Sequence, residues 1–140
     1  MRNNTQESFK PGEIEKLKNA AVDAKMHSFA PYSTFQVGAA VLADSGKIYH
    51  GCNIENDSFS LTICAERCAI FKAISEGEKS IRAIAVAIPA DNLESTVPCG
   101  ACRQVMSQFA DELLVVIITR SETKTMWLSE LFPNPFRLKD

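Results

Sequence analysis

No apolar run in the 140-residue chain approaches membrane-spanning length, and the polar stretch from Met1 to Lys10 lacks the apolar core of a secretory signal. Lysine and arginine nowhere cluster, and the formal charge is only −2. That balance argues against a nucleic-acid groove and points to a small, nearly neutral ligand. Proline and glycine are scarce, six of each, against 46% apolar and 23% charged residues, which excludes disordered and collagen-like chains. Five cysteines, an odd number, do not make a disulfide framework and fit a reducing cytoplasm. There are no internal repeats. What remains is one domain over residues 13–140 behind a flexible lead-in over residues 1–12, without membrane or nucleic-acid partners.

Two short stretches carry the chemistry: Cys64-Ala65-Glu66 and Pro98-Cys99-Gly100-Ala101-Cys102-Arg103-Gln104. Cys99 and Cys102 are three apart, so at a helix start both sulfurs fall on one face. Pro98 and Gly100 mark the turn into that helix, and Cys64 precedes another helical run. The unpaired N–H groups at a helix start favour thiolate over thiol. Taken alone, the C-x-x-C pair is also read as a redox pair or half of a structural zinc knuckle. With Cys64-x-Glu66 upstream and Pro98 before the pair, it matches a hydrolytic zinc deaminase with Cys in the place of its usual His. Cys64, Cys99 and Cys102 are then the metal ligands, the fourth position stays open for water, and Glu66 handles protons. Three thiolates on one dication leave net negative charge, which Arg67 and Arg103 are placed to offset by hydrogen bonding to sulfur.

The remaining pattern supplies a scaffold. Ile14, Leu17, Ala21 and Ala24 share one face of a helix from Glu13 to about Phe29. Phe35, Val37, Ala39 and Val41 alternate as a strand, Asp44-Ser45-Gly46-Lys47 turns, and Ile48–Asn53 returns. A loop, Ile54 to Thr62, leads to the Cys64 helix, which runs through Ser75 and stops at Gly77. Ile81–Ile88 and Leu113–Thr119 read as strands covered on both faces, separated by a helix over about Gly100–Ala110. A short strand at Lys124–Trp127 and one helical turn at Leu128–Phe132 follow. The expected architecture is α/β, a three-layer α/β/α sandwich with a mixed five-stranded sheet.

From Pro31 to about Phe136 the sequence resembles the small, homotetrameric cytidine deaminases. The resemblance is carried by Ala30-Pro31-Tyr32-Ser33, Phe35-Gln36-Val37-Gly38-Ala39-Ala40, Gly51-Cys52-Asn53-Ile54-Glu55-Asn56, Cys64-Ala65-Glu66-Arg67 and Pro98 to Gln104. It implies hydrolysis of cytidine and 2′-deoxycytidine to uridine and 2′-deoxyuridine, with one zinc per subunit and ammonia released. It implies that Asn53 and Glu55 bind the ribose 3′-hydroxyl, that Phe35 packs on the base, and that Ala65 also lies against the substrate. Arg67 would hydrogen-bond the thiolates, and Phe136 would close the pocket of a neighbouring subunit in a tetramer.

Read without the resemblance, Asn53 and Glu55 are first of all turn residues, although two apart at a strand end they point to one side and can grip one hydroxyl as donor and acceptor. Phe35 is a core residue on the same reading. Three positions depart from the family. Asp57 stands where a small residue is usual, which either alters base recognition, as in a deaminase of a modified cytosine nucleoside or nucleoside antibiotic, or caps a turn. Cys68, often Thr, is one turn after Cys64: either a fourth ligand that would close the site, or a small buried thiol. Phe59 replaces a common Tyr. Cys52 reads as a buried strand residue, and neither His27 nor His50 is required by the mechanism.

Overall fold

A computed structural model describes residues 9–94 and 96–138. The first helix, α1 (Glu13–Ala24), starts after Gly12 in a left-handed conformation, φ 79°, with Glu13 and Glu15 in its first turn, where acidic groups meet the positive end of the helix dipole. It buries Leu17, Ala21 and Ala24 and tightens into a 3-10 turn, Lys25–His27, instead of running on to Phe29. Gly38 lies against that end. A Cβ there would lie 2.1 Å from the Ala21 carbonyl oxygen and 2.6 Å from the Lys25 nitrogen, so a strand start presses directly on the helix end.

That strand, β1, is Gly38–Ala43, and it turns through Gly46 (φ 91°) into β2, Ile48–Cys52. The sequence alternation placed the strand from Phe35 to Val41; the structure shifts it and leaves Phe35 outside. Every residue of β1 is buried. Ala39 and Val41 face one core while Ala40 and Leu42 face another, so the alternation does not mark a wet face. Alanines on both faces let helices approach closely on each side.

The sheet order is β2-β1-β3-β4-β5, with β3 Ile81–Ala87, β4 Leu114–Ile118 and β5 Thr123–Trp127. Only β3 and β4 are parallel, Ala85 opposite Val116, and their crossover carries α3, Gly100–Gln108. The helix α2, Ala65–Ser75, precedes β3 and ends before Gly77 at φ 103°. A last helical turn, α4, is Leu128–Leu131. One core cluster joins α2 and α3 to the sheet through Ile70, Ile84, Met106 and Val115; the other joins α1 through Leu17, Leu42 and Leu114. The result is a mixed five-stranded sheet between helical layers, as expected.

The lead-in falls mostly outside the described residues. Phe9 packs on the α1-side core, with the Arg82 guanidinium 5.0 Å over its ring. Among the described residues no helix is long and apolar enough to cross a membrane.

Candidate active site

Two helix starts meet beside the β3–β4 crossover. Cys64 is the N-cap of α2 and Cys99 the N-cap of α3, both in extended conformations, and the Cys99 side chain turns back over the first helical turn. Cys102, fully buried in that turn of α3, gives its backbone N–H to the Cys99 sulfur at 3.5 Å. The sulfurs of Cys64 and Cys99 are 3.9 Å apart, and all three lie within 4.8 Å of one another. Zinc–sulfur bonds of about 2.3 Å at tetrahedral angles require sulfurs ~3.8 Å apart.

The electrostatics fit a soft dication as well. Between Cys64 and Cys102 the proton rests on Cys102, whose thiol is raised first by their shared hydrogen bond. The same bond, then the Arg67 guanidinium, pulls Cys64 down to about 5 against the upward push of burial. Arg67 donates to the Cys64 sulfur at 3.3 Å, and its own pKa is raised chiefly by that bond. Three sulfurs, one readily ionised, beside a fixed cation form a donor set for zinc.

Arg103 does not share this task, which corrects the sequence expectation. Its Nε donates to the Pro98 carbonyl at 2.8 Å and its Nη1 to the Leu131 carbonyl at 2.9 Å, tying the metal loop to α4. Following a ligand by one residue on a helix turns a side chain about 100° away from it. Cys68 is not among the clustered sulfurs, so the fourth-ligand reading has no geometric support.

Glu66 is 6% exposed, and burial is the first cause pushing its carboxyl upward. It lines a cavity of about 270 Å³ with Cys64, Ala65, Phe35 and Asn53. Thr62, Ile63, Thr96, Val97 and Pro98 complete much of the wall, with Val37, Val86 and Ile88 from the sheet side. A larger hollow, about 570 Å³, lies at the start of α1 between Phe9 and Leu114, but it shares no residue with the sulfur cluster. Size alone therefore misplaces the site. Phe35, which its residue type assigns to a core, is 45% exposed and stands on the cavity wall.

Asn53 is held by its surroundings. Its Oδ1 accepts from the Val37 N–H at 2.9 Å and from the Ser28 hydroxyl, while Nδ2 donates to the Phe35 carbonyl at 2.7 Å. Glu55 lies in an adjoining hollow with Tyr32, Phe59 and Thr62. Its Oε1 accepts from the N–H groups of Tyr32 (2.8 Å) and Ser33 (3.2 Å), and its Oε2 from the Ser33 hydroxyl. Both residues thus organise the loop that carries Phe35. Asp57 is exposed and outside the lining of either hollow. Phe136 is also exposed, its carbonyl accepting from Gln104 Nε2 at 3.1 Å, and its ring is not on this chain's own cavity. His27 and His50 stack on each other, 6.3 Å between ring centres, away from the cavity.

Ser28, Thr62, Thr96 and Val97 were not foreseen from the sequence. Val97 had a signal, since it precedes the Pro98-Cys99 turn; Ser28 had none, because its partner Asn53 is 25 residues away.

A family model described as the cytidine and deoxycytidylate deaminase zinc-binding region matches residues 11–118. The chain belongs to this family. A curated cytidine deaminase of Sporosarcina psychrophila is 44% identical over 130 residues, covering 91% of this chain and 94% of the relative. The crystal structure of cytidine deaminase from Burkholderia pseudomallei superposes with a TM-score of 0.82 at 40% identity, covering 87% of this chain and 98% of that one. That from Mycobacterium tuberculosis gives 0.71 at 32% identity, covering 89% and 98%. In this deaminase the zinc-binding character of the family and the three clustered sulfurs agree.

Proposed function

We propose that the chain hydrolyses cytidine and 2′-deoxycytidine to the corresponding uridines, with release of ammonia. One observation carries the reading: the three-sulfur cluster reaches, through Cys64, a mostly apolar cavity whose wall also holds a buried carboxyl, Glu66, and the ring of Phe35. Zinc held by Cys64, Cys99 and Cys102 supplies a Lewis acid that lowers the pKa of water toward ~7.

The side chains do the rest. Glu66, desolvated and so ready to hold a proton, takes one from the attacking water and passes it to ring N3 as C4 becomes tetrahedral. It then carries a proton to the departing amine. Phe35 offers its face to the pyrimidine. Asn53 has spent one amide N–H on Phe35 and keeps the second for a sugar hydroxyl. Glu55 has three of its roughly four acceptor positions filled and keeps one on Oε2 for the same hydroxyl. Ala65, flush with the cavity wall, leaves room for the base.

The deaminase works as a homotetramer in the cytoplasm, in pyrimidine salvage, with Phe136 of one subunit closing the cavity of another; the exposed rings of Phe59 and Phe136 support that arrangement. The test is ultraviolet-monitored turnover of both nucleosides by zinc-loaded protein, with Glu66→Ala alongside. Wild type should bleach the cytosine absorbance, and Glu66→Ala should retain zinc while losing roughly two to four orders of magnitude in kcat. Near-normal turnover in the variant would remove Glu66 from its role.

A further inference from the structure

The cavity wall formed by Thr96, Val97 and Pro98 belongs to an irregular segment between β3 and α3. Such a segment keeps a shape only where its backbone groups find partners. Here they find them in the turn between β4 and β5, remote in sequence and outside the cavity.

That turn is itself closed. The Thr119 N–H donates to the Glu122 carbonyl at 2.8 Å, and the Glu122 N–H donates to the Thr119 hydroxyl at 3.0 Å. From it, three successive residues reach across. The Arg120 N–H donates to the Ala90 carbonyl at 2.9 Å, and its guanidinium pairs with Asp91 at 3.1 Å. The Ser121 hydroxyl donates to the Asp91 carbonyl. Glu122 Oε2 accepts the Leu93 N–H at 3.1 Å.

Leu93 is the relay. Its side chain packs against the larger core, and its carbonyl accepts the Thr96 N–H at 3.3 Å. The Thr96 hydroxyl donates to the Asn92 carbonyl at 3.2 Å. One chain of bonds therefore runs from the Glu122 carboxylate through the Leu93 peptide to Thr96, which walls the cavity beside Val97. The exposed Asp91–Arg120 ion pair adds little in water. The bond from the Leu93 N–H to the Glu122 carboxylate is exposed as well, but it is charge-assisted and holds the backbone itself.

We infer that Glu122 is a positioning residue for substrate binding: through Leu93 it fixes the Thr96–Val97 wall against which the nucleoside packs. It touches neither the sulfurs nor Glu66, so it should act on affinity and not on the chemical step. The activity part of this inference rests on the proposed cytidine substrate; the structural part does not.

The test compares zinc-loaded wild type, Glu122→Ala and Glu122→Gln in cytidine turnover and in hydrogen exchange at the Leu93 amide. Glu122→Ala should raise KM roughly fivefold, the loss of one hydrogen bond, with kcat within about twofold of wild type, and should speed Leu93 exchange. Glu122→Gln keeps an acceptor oxygen at the same place and should restore both. The inference is overturned by unchanged Leu93 exchange in Glu122→Ala, by unchanged KM, by a fall in kcat at constant KM, or by a Gln variant as impaired as Ala. If wild type turns over no cytidine, the substrate reading fails instead. Leu93 exchange then decides: faster in Ala and restored in Gln sustains the clamp, and no change refutes it.

Discussion

The charge balance at the sulfur cluster turns on a single side chain. Arg67 is in the first turn of α2, three residues after Cys64, and gives an N–H to that sulfur at 3.3 Å. Its Nε is buried without a hydrogen-bond partner among the described residues, so the guanidinium is committed to this corner of the protein at some cost. A cation kept there at such expense should matter to the metal. Replacing Arg67 by Ala leaves three thiolates to weaken the acidity of zinc and should lower kcat by about 10–100-fold. Zinc content should stay near one per subunit, because all three ligands remain. Metal analysis beside steady-state kinetics checks both halves; an unchanged kcat would mean the thiolate charge is tolerated uncompensated. Arg67→Lys should recover only part, since an ammonium does not reproduce the planar fork.

At the scale of elements, the sulfur site depends on how closely α2 lies on the edge strand. Gly51 in β2 is the contact point. A Cβ there would come within 2.5 Å of the Ala69 nitrogen and 2.9 Å of the Cys68 carbonyl carbon, both backbone atoms that cannot step aside. Gly51→Ala must push α2 outward, and Cys64 and Glu66 ride at the start of that helix. The expected result is a loss of about 1–3 kcal/mol in urea unfolding together with weaker zinc retention in a chelator competition. Loss of stability with full zinc retention would show that the helix shifts as a rigid unit along the cluster.

Element packing also explains what could be read in advance. Helices, strands and the five-strand count follow from periodicity, because the buried runs Ile81–Ala87 and Leu114–Ile118 have few alternatives. The ligand cluster follows from spacing within single turns of helix. The β1 register did not, since Ala39 and Ala40 are buried on opposite faces and small residues leave no amphipathic signal. Arg103 and Ser28 were missed or misassigned for a related reason. Their partners, Leu131 and Asn53, lie 28 and 25 residues away, and only the folded chain says which way each side chain turns.

The whole molecule exposes apolar side chains on the loops around the Glu55 hollow that adjoins the cavity. Phe29, Phe59 and Leu61 are 56%, 71% and 69% exposed on the two loops that meet there. The loops are joined by the edge-on contact of Tyr32 with Phe59 at 5.2 Å and by the Phe29–Ile54 bridge. Phe136 is 69% exposed at the other end of the chain, its backbone held by Gln104. Exposed apolar rings of this size favour a surface that meets another protein. A second copy is the economical occupant, because it would bring Phe136 to a cavity that lacks a wall on its open side. Light scattering should then give four times the 15.4 kDa chain mass. The sharper measurement is complementation. Phe136→Ala should raise KM severely, and Glu66→Ala should be nearly inert. Co-expressed in one cell, the two should form mixed tetramers in which some cavities combine an intact Glu66 with a neighbour's intact Phe136. Those cavities should recover wild-type KM at a fraction of wild-type kcat. If each subunit used its own Phe136, no mixture could contain a complete site, and the mixed tetramers would show only the KM of Phe136→Ala.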